Sequence, residues 1–266
     1  MAAPIIRGQK TIGVLEVLNK ADGEEFDERD LAILTGFAST EALLLLVSMA
    51  HTAISNITLH ETWLKGYKRT AETLAQAVDA KDTYALGHSQ RVREYTMLAV
   101  NSLPLSSEEL QAVEFGALLH DIGIIGIDEN ILCKPEPLND KEWAIMRKHP
   151  EIGAQIVGEI TLVEKAKDIV LYHHERYDGK GYPKKLKGED IPIGARLVAV
   201  ADAFDTMTTD HSYRAALTVD EAINELIAGS GTQFCPLAIE TFTSAFKKEN
   251  AEPAEKEADS VVHEIV

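Results

Sequence analysis

Histidine and aspartate are the residues of this chain with the clearest potential for chemistry. The sequence contains nine histidines, and five of them lie beside other ligand-type or turn residues. Imidazole and carboxylate together suit divalent iron, manganese, zinc and related ions. A buried carboxylate also needs a partner or a metal, because an unpaired buried charge is costly. The pattern indicates metal binding, with candidates among His88, His120, His149, His173 and His174 and the carboxylates Asp121 and Asp202.

The adjacent pair His120-Asp121 follows the apolar stretch Phe115–Leu119, which places both side chains at the core-facing end of a helix. One bridging Asp and several His can hold two ions about 3.5–4 Å apart, an arrangement that suits phosphodiester hydrolysis. Taken singly, such a pair is more often a helix cap or an ordinary hydrogen bond. His149 before Pro150 and the pair His173-His174 have similarly simple interpretations, as a helix end and a surface turn. Their joint occurrence favours the metal centre.

The elements that must position these residues are helices. From about Tyr67 to Phe246 the apolar residues recur at three-and-four spacing, which is typical of amphipathic helices. One polar loop, Arg176–Ile191, is dense in Gly, Lys, Asp and Pro and interrupts this pattern. The prediction is a mainly α protein, with a helical bundle built around the candidate ligands.

The first sixty or so residues have a different pattern. Pro4–Arg7, a Gly8-Gln9 turn and the alternating segment Thr11–Asn19 predict a β-hairpin. Asp27 is the expected N-cap of a long helix that continues to about Trp63. Two strands cannot form a domain alone, so this segment is predicted to be part of something larger.

Composition limits the partners and the compartment. The net charge of -17 argues against polymeric nucleic acid as a ligand, because that affinity depends on many Lys and Arg contacts. Cys133 and Cys235 suggest neither a disulfide framework nor a Cys-based zinc site, which fits a reducing cytoplasm. The apolar run Ala42–Ala50 is too short to cross a bilayer, so no membrane span is expected. The acidic segment 247–266 is predicted to be a frayed, solvated tail.

Residues 67–246 resemble the HD-GYP family over five motifs: GHSQRV, LLHDIG, MRKHPEIG, HHERYDGKGYP and RLVAVADAFDTMTTD. The resemblance implies an HD-type helical bundle with two divalent ions, most readily iron or manganese. Asp121 would bridge the ions as the catalytic carboxylate, and Asp205, which has no assigned ligand role, is expected to orient a neighbouring histidine or a backbone group. The implied ligands are His88, His120 and Asp202 for the first ion, and His149, His173 and His174 for the second. The implied reaction opens cyclic di-GMP to linear pGpG.

The loop Asp178–Pro183 has both a structural and a functional interpretation. Gly permits positive φ and Pro stiffens the exit, which is sufficient reason for these residue types. The resemblance implies that the loop shapes the mouth of the site and offers a docking surface to diguanylate cyclase (GGDEF) proteins. Lys180 and Tyr182 are predicted substrate contacts. For Lys180, a place in a solvated cluster of Lys side chains is the commoner explanation.

The sequence departs from the family pattern at positions that affect catalysis. Tyr84 stands where members with a third metal have Glu, so two ions are expected. Ile124 replaces the Lys of the usual HDIGK string, which removes a charge that contacts the scissile phosphate. His211 replaces a common Arg, and Arg214 remains the best candidate for a direct phosphate contact. These changes leave two alternatives open: a weakened module that binds or docks without efficient turnover, and a hydrolase for another nucleotide.

Residues 1–63 resemble the C-terminal end of a GAF domain, whose last strand often reads like GVLEVLNK before an acidic, Leu-rich helix. The alternative is a hairpin and helix particular to this protein. The helix from Leu31 onward could pair with a second copy and form a homodimer. The predicted organisation is therefore a partial GAF-like segment with a linker helix (1–63), an HD-GYP domain (67–246) and an acidic tail (247–266).

Overall fold

The chain forms two compact units, Met1–Tyr67 and Lys68–Val266. A computed structural model describes residues 1–7, 10–18, 20, 25–38, 40–81, 86–161, 163–210 and 215–262. The predicted limits of the three segments, including 67–246, stay a prediction.

The first unit begins with a β-hairpin followed by a helix. Its elements are β1 (Ala2–Arg7), β2 (Lys10–Glu16) and α1 (Glu28–Phe37). The strands are antiparallel, with Ala2 opposite Glu16. The predicted hairpin is confirmed, while its Gly8-Gln9 turn lies outside the described residues. Asp27 caps α1 as predicted, because its carboxylate accepts from the amides of Arg29 and Asp30.

The long predicted helix begins where expected, but it is interrupted and it ends later than predicted. Helix α1 stops at Phe37, and a second helix, α2, spans Thr40–Asp79 without a break. The prediction that the helix ends near Trp63 is therefore wrong by about four turns. Its last turns continue because Ala71, Ala75 and Val78 are buried in a core cluster, and this tertiary packing outweighs the cost of about 1 kcal/mol for a helical Gly such as Gly66.

The second unit consists mainly of helices. They are α3 (His88–Val100), α4 (Ser107–Leu118), α5 (Glu129–Leu132), α6 (Asp140–Met146), α7 (His149–Gly158), α8 (Lys167–Tyr172), α9 (Ile193–Thr208), α10 (Val219–Ala228) and α11 (Pro236–Val262). The longest connection in this unit lies between α8 and α9. Short 3-10 helices span Ile122–Gly126, Glu164–Ala166 and Gly188–Asp190. The prediction of a mainly α fold with an N-terminal hairpin is confirmed.

Two apolar clusters hold the second unit together. The larger one joins α3, α4, α9, α10 and α11 and includes Val92, Leu197, Phe204 and Phe242. The smaller one joins the end of α2 to α4, α7 and α8 through residues such as Ala75, Leu118, Val157 and Val170. Together these clusters fix the ends of the helices that carry the candidate ligands.

Helix α11 extends as far as Val262. It therefore includes most of segment 247–266, for which composition predicted a frayed tail. Across the part of the chain that the structure describes, no helix combines the length and the apolar character needed to cross a bilayer.

Candidate metal centre

The candidate ligands lie almost entirely at helix ends. His88 is the first residue of α3, and the preceding Gly87 adopts a left-handed φ of 75°. His120 and Asp121 follow the end of α4, and His149 is the first residue of α7. His173 and His174 follow α8, whereas Asp202 lies within α9. The fold thus directs side chains from five separate helices towards one place.

Two groups of ligand atoms meet there, and Asp121 belongs to both. Within each group all ligand atoms lie within 4.8 Å of one another. Asp121 Oδ2 lies 3.5 Å from His120 Nε2, whereas Oδ1 lies 3.2 Å from His149 Nε2 and 3.7 Å from His173 Nε2. Each carboxylate oxygen therefore faces a different set of imidazoles. The groups are His88, His120 and Asp121, and Asp121, His149, His173 and His174.

The buried imidazoles present lone pairs to the centre. Nδ1 of His120, His149 and His173 donates to the carbonyl three residues earlier, at 2.8, 2.8 and 2.7 Å. A carbonyl can only accept, so Nδ1 carries the hydrogen and Nε2 is free to coordinate. His149 Nε2 and His173 Nε2 then lie 3.4 Å apart. Two such lone pairs at this distance require a cation or a proton between them, and the donor set therefore fits a metal ion.

His88 is oriented by a different partner. Its Nδ1 lies 2.8 Å from Asp205 Oδ2, and Asp205 also accepts from Arg91 Nε and Nη2 at 2.6 and 3.0 Å. The prediction that Asp205 orients a neighbouring histidine is confirmed. Sequence reasoning missed Arg91, whose signal was only its place one helical turn after His88. This Arg91-Asp205-His88 chain holds the Nε2 of His88 towards the centre.

Asp202 lies beside the first group but does not belong to it. Its Oδ1 is 3.4 Å from His88 Nε2 and accepts from Thr206 Oγ1 at 3.3 Å. Asp202 is therefore close enough to complete the coordination of an ion held by His88 and His120.

The electrostatics of the cluster favour cations. Burial raises the pKa of Asp121, but electrostatic contacts with the surrounding imidazoles of His120, His149 and His173 outweigh burial and hold the pKa well below its usual range. Burial lowers the pKa of His88, yet the hydrogen bond to Asp205 and nearby carboxylates raise it to about 9. Burial and neighbouring imidazoles hold the pKa of His174 well below its usual range. Ionised Asp121 and neutral His174 are the forms that bind metal.

Glycine is required at the turn after Asp121. A Cβ at Gly123 would lie 1.9 Å from the carbonyl oxygen of His149, closer than any side chain permits. The absence of a side chain brings the turn of Asp121 against the start of α7. Lys81 fixes the same turn, because its Nζ donates to the carbonyls of Ile124, Ile125 and Ile127 at 3.3, 3.2 and 2.8 Å.

A cavity of about 860 Å³ opens onto the cluster. This volume is in the range of about 300–1,000 Å³ that small-molecule sites occupy. Ile124 and Tyr182 line it, whereas Lys180 does not and its side chain is 81% exposed. The predictions made for Tyr84, His211 and Arg214 concern residues that lie outside the described part of the chain. The cavity is also lined by Asp79, Arg91, Trp143, Met146 and Glu175.

The loop Asp178–Pro183 is fastened to the second ligand group. A Cβ at Gly181 would lie 2.3 Å from the amide nitrogen of Arg176, so only glycine fits. The amide of Tyr182 donates to the carbonyl of His174 at 3.3 Å, and the amide of Lys184 donates to buried Glu175 at 2.6 Å. The loop therefore holds Tyr182 in the lining of the cavity.

The fold and the cluster define a helical protein whose His and Asp side chains can hold metal ions. Residues 72–236 match the family model described as HD domain, which is more than half of the chain. The chain belongs to the HD domain family. Because the match begins at residue 72, the GAF-like resemblance of residues 1–63 gains no support from it.

Several known proteins are similar to this chain. 3'3'-cGAMP-specific phosphodiesterase 2 of Vibrio cholerae is 35% identical over 80% of this chain and 43% of its own length. The cyclic di-GMP phosphodiesterase response regulator RpfG of Xanthomonas campestris is 38% identical over 65% of this chain and 46% of its own length. The chain therefore spans about half the length of the curated relatives it matches.

A solved structure supports the fold. The cyclic GMP-AMP specific phosphodiesterase V-cGAP3 of V. cholerae matches with a TM-score of 0.55 at 24% identity. The match covers 67% of this chain and 48% of that one. At this identity the likeness shows a shared fold and carries no argument about substrate.

Proposed function

We propose that this chain carries a metal-dependent phosphodiesterase domain, residues 67–246, that hydrolyses a cyclic dinucleotide. The first candidate reaction opens cyclic di-GMP to linear pGpG. The observation that carries the proposal is Asp121, whose two carboxylate oxygens face separate histidine groups at one cavity. A carboxylate placed in this way can bridge two ions, which is the arrangement used to hydrolyse phosphodiesters.

In this proposal the ligand residues bind two divalent ions, iron or manganese. Bound divalent ions supply positive charge for the phosphate and a water made acidic enough to act as nucleophile at neutral pH. The assigned ligands are His88, His120, Asp121 and Asp202 for one ion, and Asp121, His149, His173 and His174 for the other. The backbone carbonyls at Ala117, Met146 and Val170 keep three of these imidazoles in the coordinating tautomer.

The substrate class rests on the relatives and on the cavity. The similar proteins are named for cyclic di-GMP or for 3'3'-cGAMP, so both cyclic dinucleotides are candidates. The cavity is a concave site rather than a long basic groove, and the net charge of -17 disfavours polymeric nucleic acid.

Ile124 supports a second candidate, a module that binds the ligand but turns it over slowly. Its side chain lines the cavity at the position where the family pattern has a phosphate-contacting Lys. The loss of one such electrostatic group costs about 2.7–4 kcal/mol, or 10²–10³ in rate. In this candidate the loop Asp178–Pro183 serves as the docking surface for GGDEF proteins.

One preparation tests both candidates. Protein loaded anaerobically with iron or manganese is analysed for metal content and incubated with cyclic di-GMP and 3'3'-cGAMP, with products separated by chromatography. His120→Ala removes a ligand, and His60→Ala, on the exposed surface of α2, is the matched control.

Linear product from wild type and His60→Ala, but not from His120→Ala, supports hydrolysis. Bound cyclic dinucleotide that persists unchanged supports the slow module. Protein that binds fewer than one ion and no cyclic dinucleotide refutes both.

A further inference from the structure

Planar side chains line one wall of the cavity, and one of them, Tyr182, packs against the ring of the candidate ligand His174 with ring centres 4.9 Å apart. Trp143 and Tyr182 both face the cavity, and Trp143 is 44% exposed. The guanidinium carbon of Arg147 lies 5.7 Å from the centre of the Trp143 ring and 5.6 Å from that of Tyr182. Arg147 therefore joins the two aromatic rings into one surface, named here the aromatic wall.

The aromatic wall is held firmly. Trp143 is on α6, whose N-cap Asn139 forms a capping box with Glu142. Both carboxylate oxygens of Glu142 also accept from Lys134 Nζ, at 2.8 and 2.7 Å. Only two residues separate the end of this helix from His149, so the wall keeps a fixed place beside the cluster.

Trp143 is a large aromatic side chain that stays partly exposed inside the cavity. Contact with Arg147 covers part of the indole, yet almost half of the residue stays open in a concave site. Aromatic rings with an adjacent Arg are the groups on which nucleobases stack, and each such contact contributes about 1–3 kcal/mol. A cyclic dinucleotide with one phosphate at the ions would place its bases against the rest of the cavity lining, which includes Trp143. The open indole face is placed to receive one of them.

We propose that the aromatic wall is a nucleobase subsite and that Trp143 determines affinity for the base. The proposal rests on the proposed function, since it supposes a nucleotide substrate. A purely structural role for Trp143 predicts no response to a base, which separates the two explanations.

Fluorescence tests this directly, because the chain contains only two tryptophans, Trp63 and Trp143. Trp63 lies in the first unit, so Trp63→Phe leaves Trp143 as the single reporter. GMP carries a base, and ribose 5-phosphate is the matched ligand without one. We expect saturable quenching of the metal-loaded variant by GMP and by cyclic di-GMP, and none by ribose 5-phosphate.

Calorimetry gives the affinity. Trp143→Ala should bind cyclic di-GMP about 5- to 150-fold more weakly than wild type, and Trp143→Phe should recover most of the loss. Unfolding temperatures of all variants check that the fold is retained. Equal affinity of Trp143→Ala and wild type for cyclic di-GMP, with no quenching by GMP, would overturn the subsite alone. Absence of binding and hydrolysis of every cyclic dinucleotide would instead overturn the proposed function, while quenching by GMP would still support the base contact.

Discussion

Replacement of Asp205 by Asn is the sharpest test of how the first ligand group is held. Asp205 is almost fully buried and accepts three hydrogen bonds, one from His88 and two from Arg91. An Asn of the same shape has only one acceptor oxygen, and its NH2 group must face a donor of either His88 or Arg91. An NH2 group that faces Arg91 displaces the guanidinium and loosens the chain that holds His88. An NH2 group that faces His88 requires that imidazole to turn or to move its hydrogen to Nε2. Either change withdraws the lone pair that His88 offers to an ion.

The size of the effect follows from the role of the residue. Partners that orient a ligating His typically contribute 10- to 100-fold to metal affinity, which is about 1.4–2.8 kcal/mol. Asp205 contacts His88 but no imidazole of the second group in the described part of the chain. We therefore expect selective weakening of one ion, so that Asp205→Asn binds one ion tightly where wild type binds two.

The assay is a metal titration against a chelator of known affinity, followed by metal analysis after gel filtration. Asp168→Asn, an exposed change on α8, is the matched control and should behave as wild type. Two tight ions in Asp205→Asn, at wild-type affinity, would show that Asp205 does not orient His88 for coordination. Equal loss of both ions would show that the two groups are not separable.

Three other changes have defined outcomes. Gly123→Ala should lose the shared site and unfold at lower temperature, because its Cβ would collide with the His149 carbonyl; Gly66→Ala, with open space around it, should not. Ile124→Lys should raise turnover of cyclic di-GMP by about 10²–10³, whereas Ile125→Lys, outside the cavity lining, should not. Glu114→Gln should destabilise by about 1–3 kcal/mol at pH 7 in urea unfolding, because Glu114 pairs with Arg93 and Lys68. Burial raises the pKa of Glu114, but the two partners outweigh burial and lower the pKa below 4.5. The contribution of Glu114 to the free energy of unfolding is therefore present above pH 4.5 and is lost as pH falls through the folded pKa. The difference in unfolding free energy between variant and wild type should shrink in acid.

The helical fold could be predicted from local periodicity, and the meeting of the candidate ligands from the joint occurrence of five motifs that resemble one family. His120 and Asp121 follow an apolar run that ends a helix, and His149 and His173 carry equally strong local patterns. The structure brings these side chains together in two groups. Their metal-binding role stays a prediction until an ion is measured.

Features that depend on tertiary contacts were not predictable. Arg91 looks like any exposed Arg of an amphipathic helix until Asp205, far along the chain, is placed beside it. Trp143 looks like a core residue until the cavity is seen. The length of α2 was missed because burial of Ala71, which sequence spacing cannot reveal, keeps the helix going past Trp63.

The loop Asp178–Pro183 has a consequence for encounter with other molecules. Its backbone is tied to His174 and Glu175, and the amides of Tyr177 and Asp178 donate to Gln233 and Thr232. A segment already held in one conformation loses little entropy when something binds to it. Arrival of a nucleotide at the cavity mouth, or of a protein at the outer side of the loop, should therefore be limited by collision rather than by a slow rearrangement of this segment.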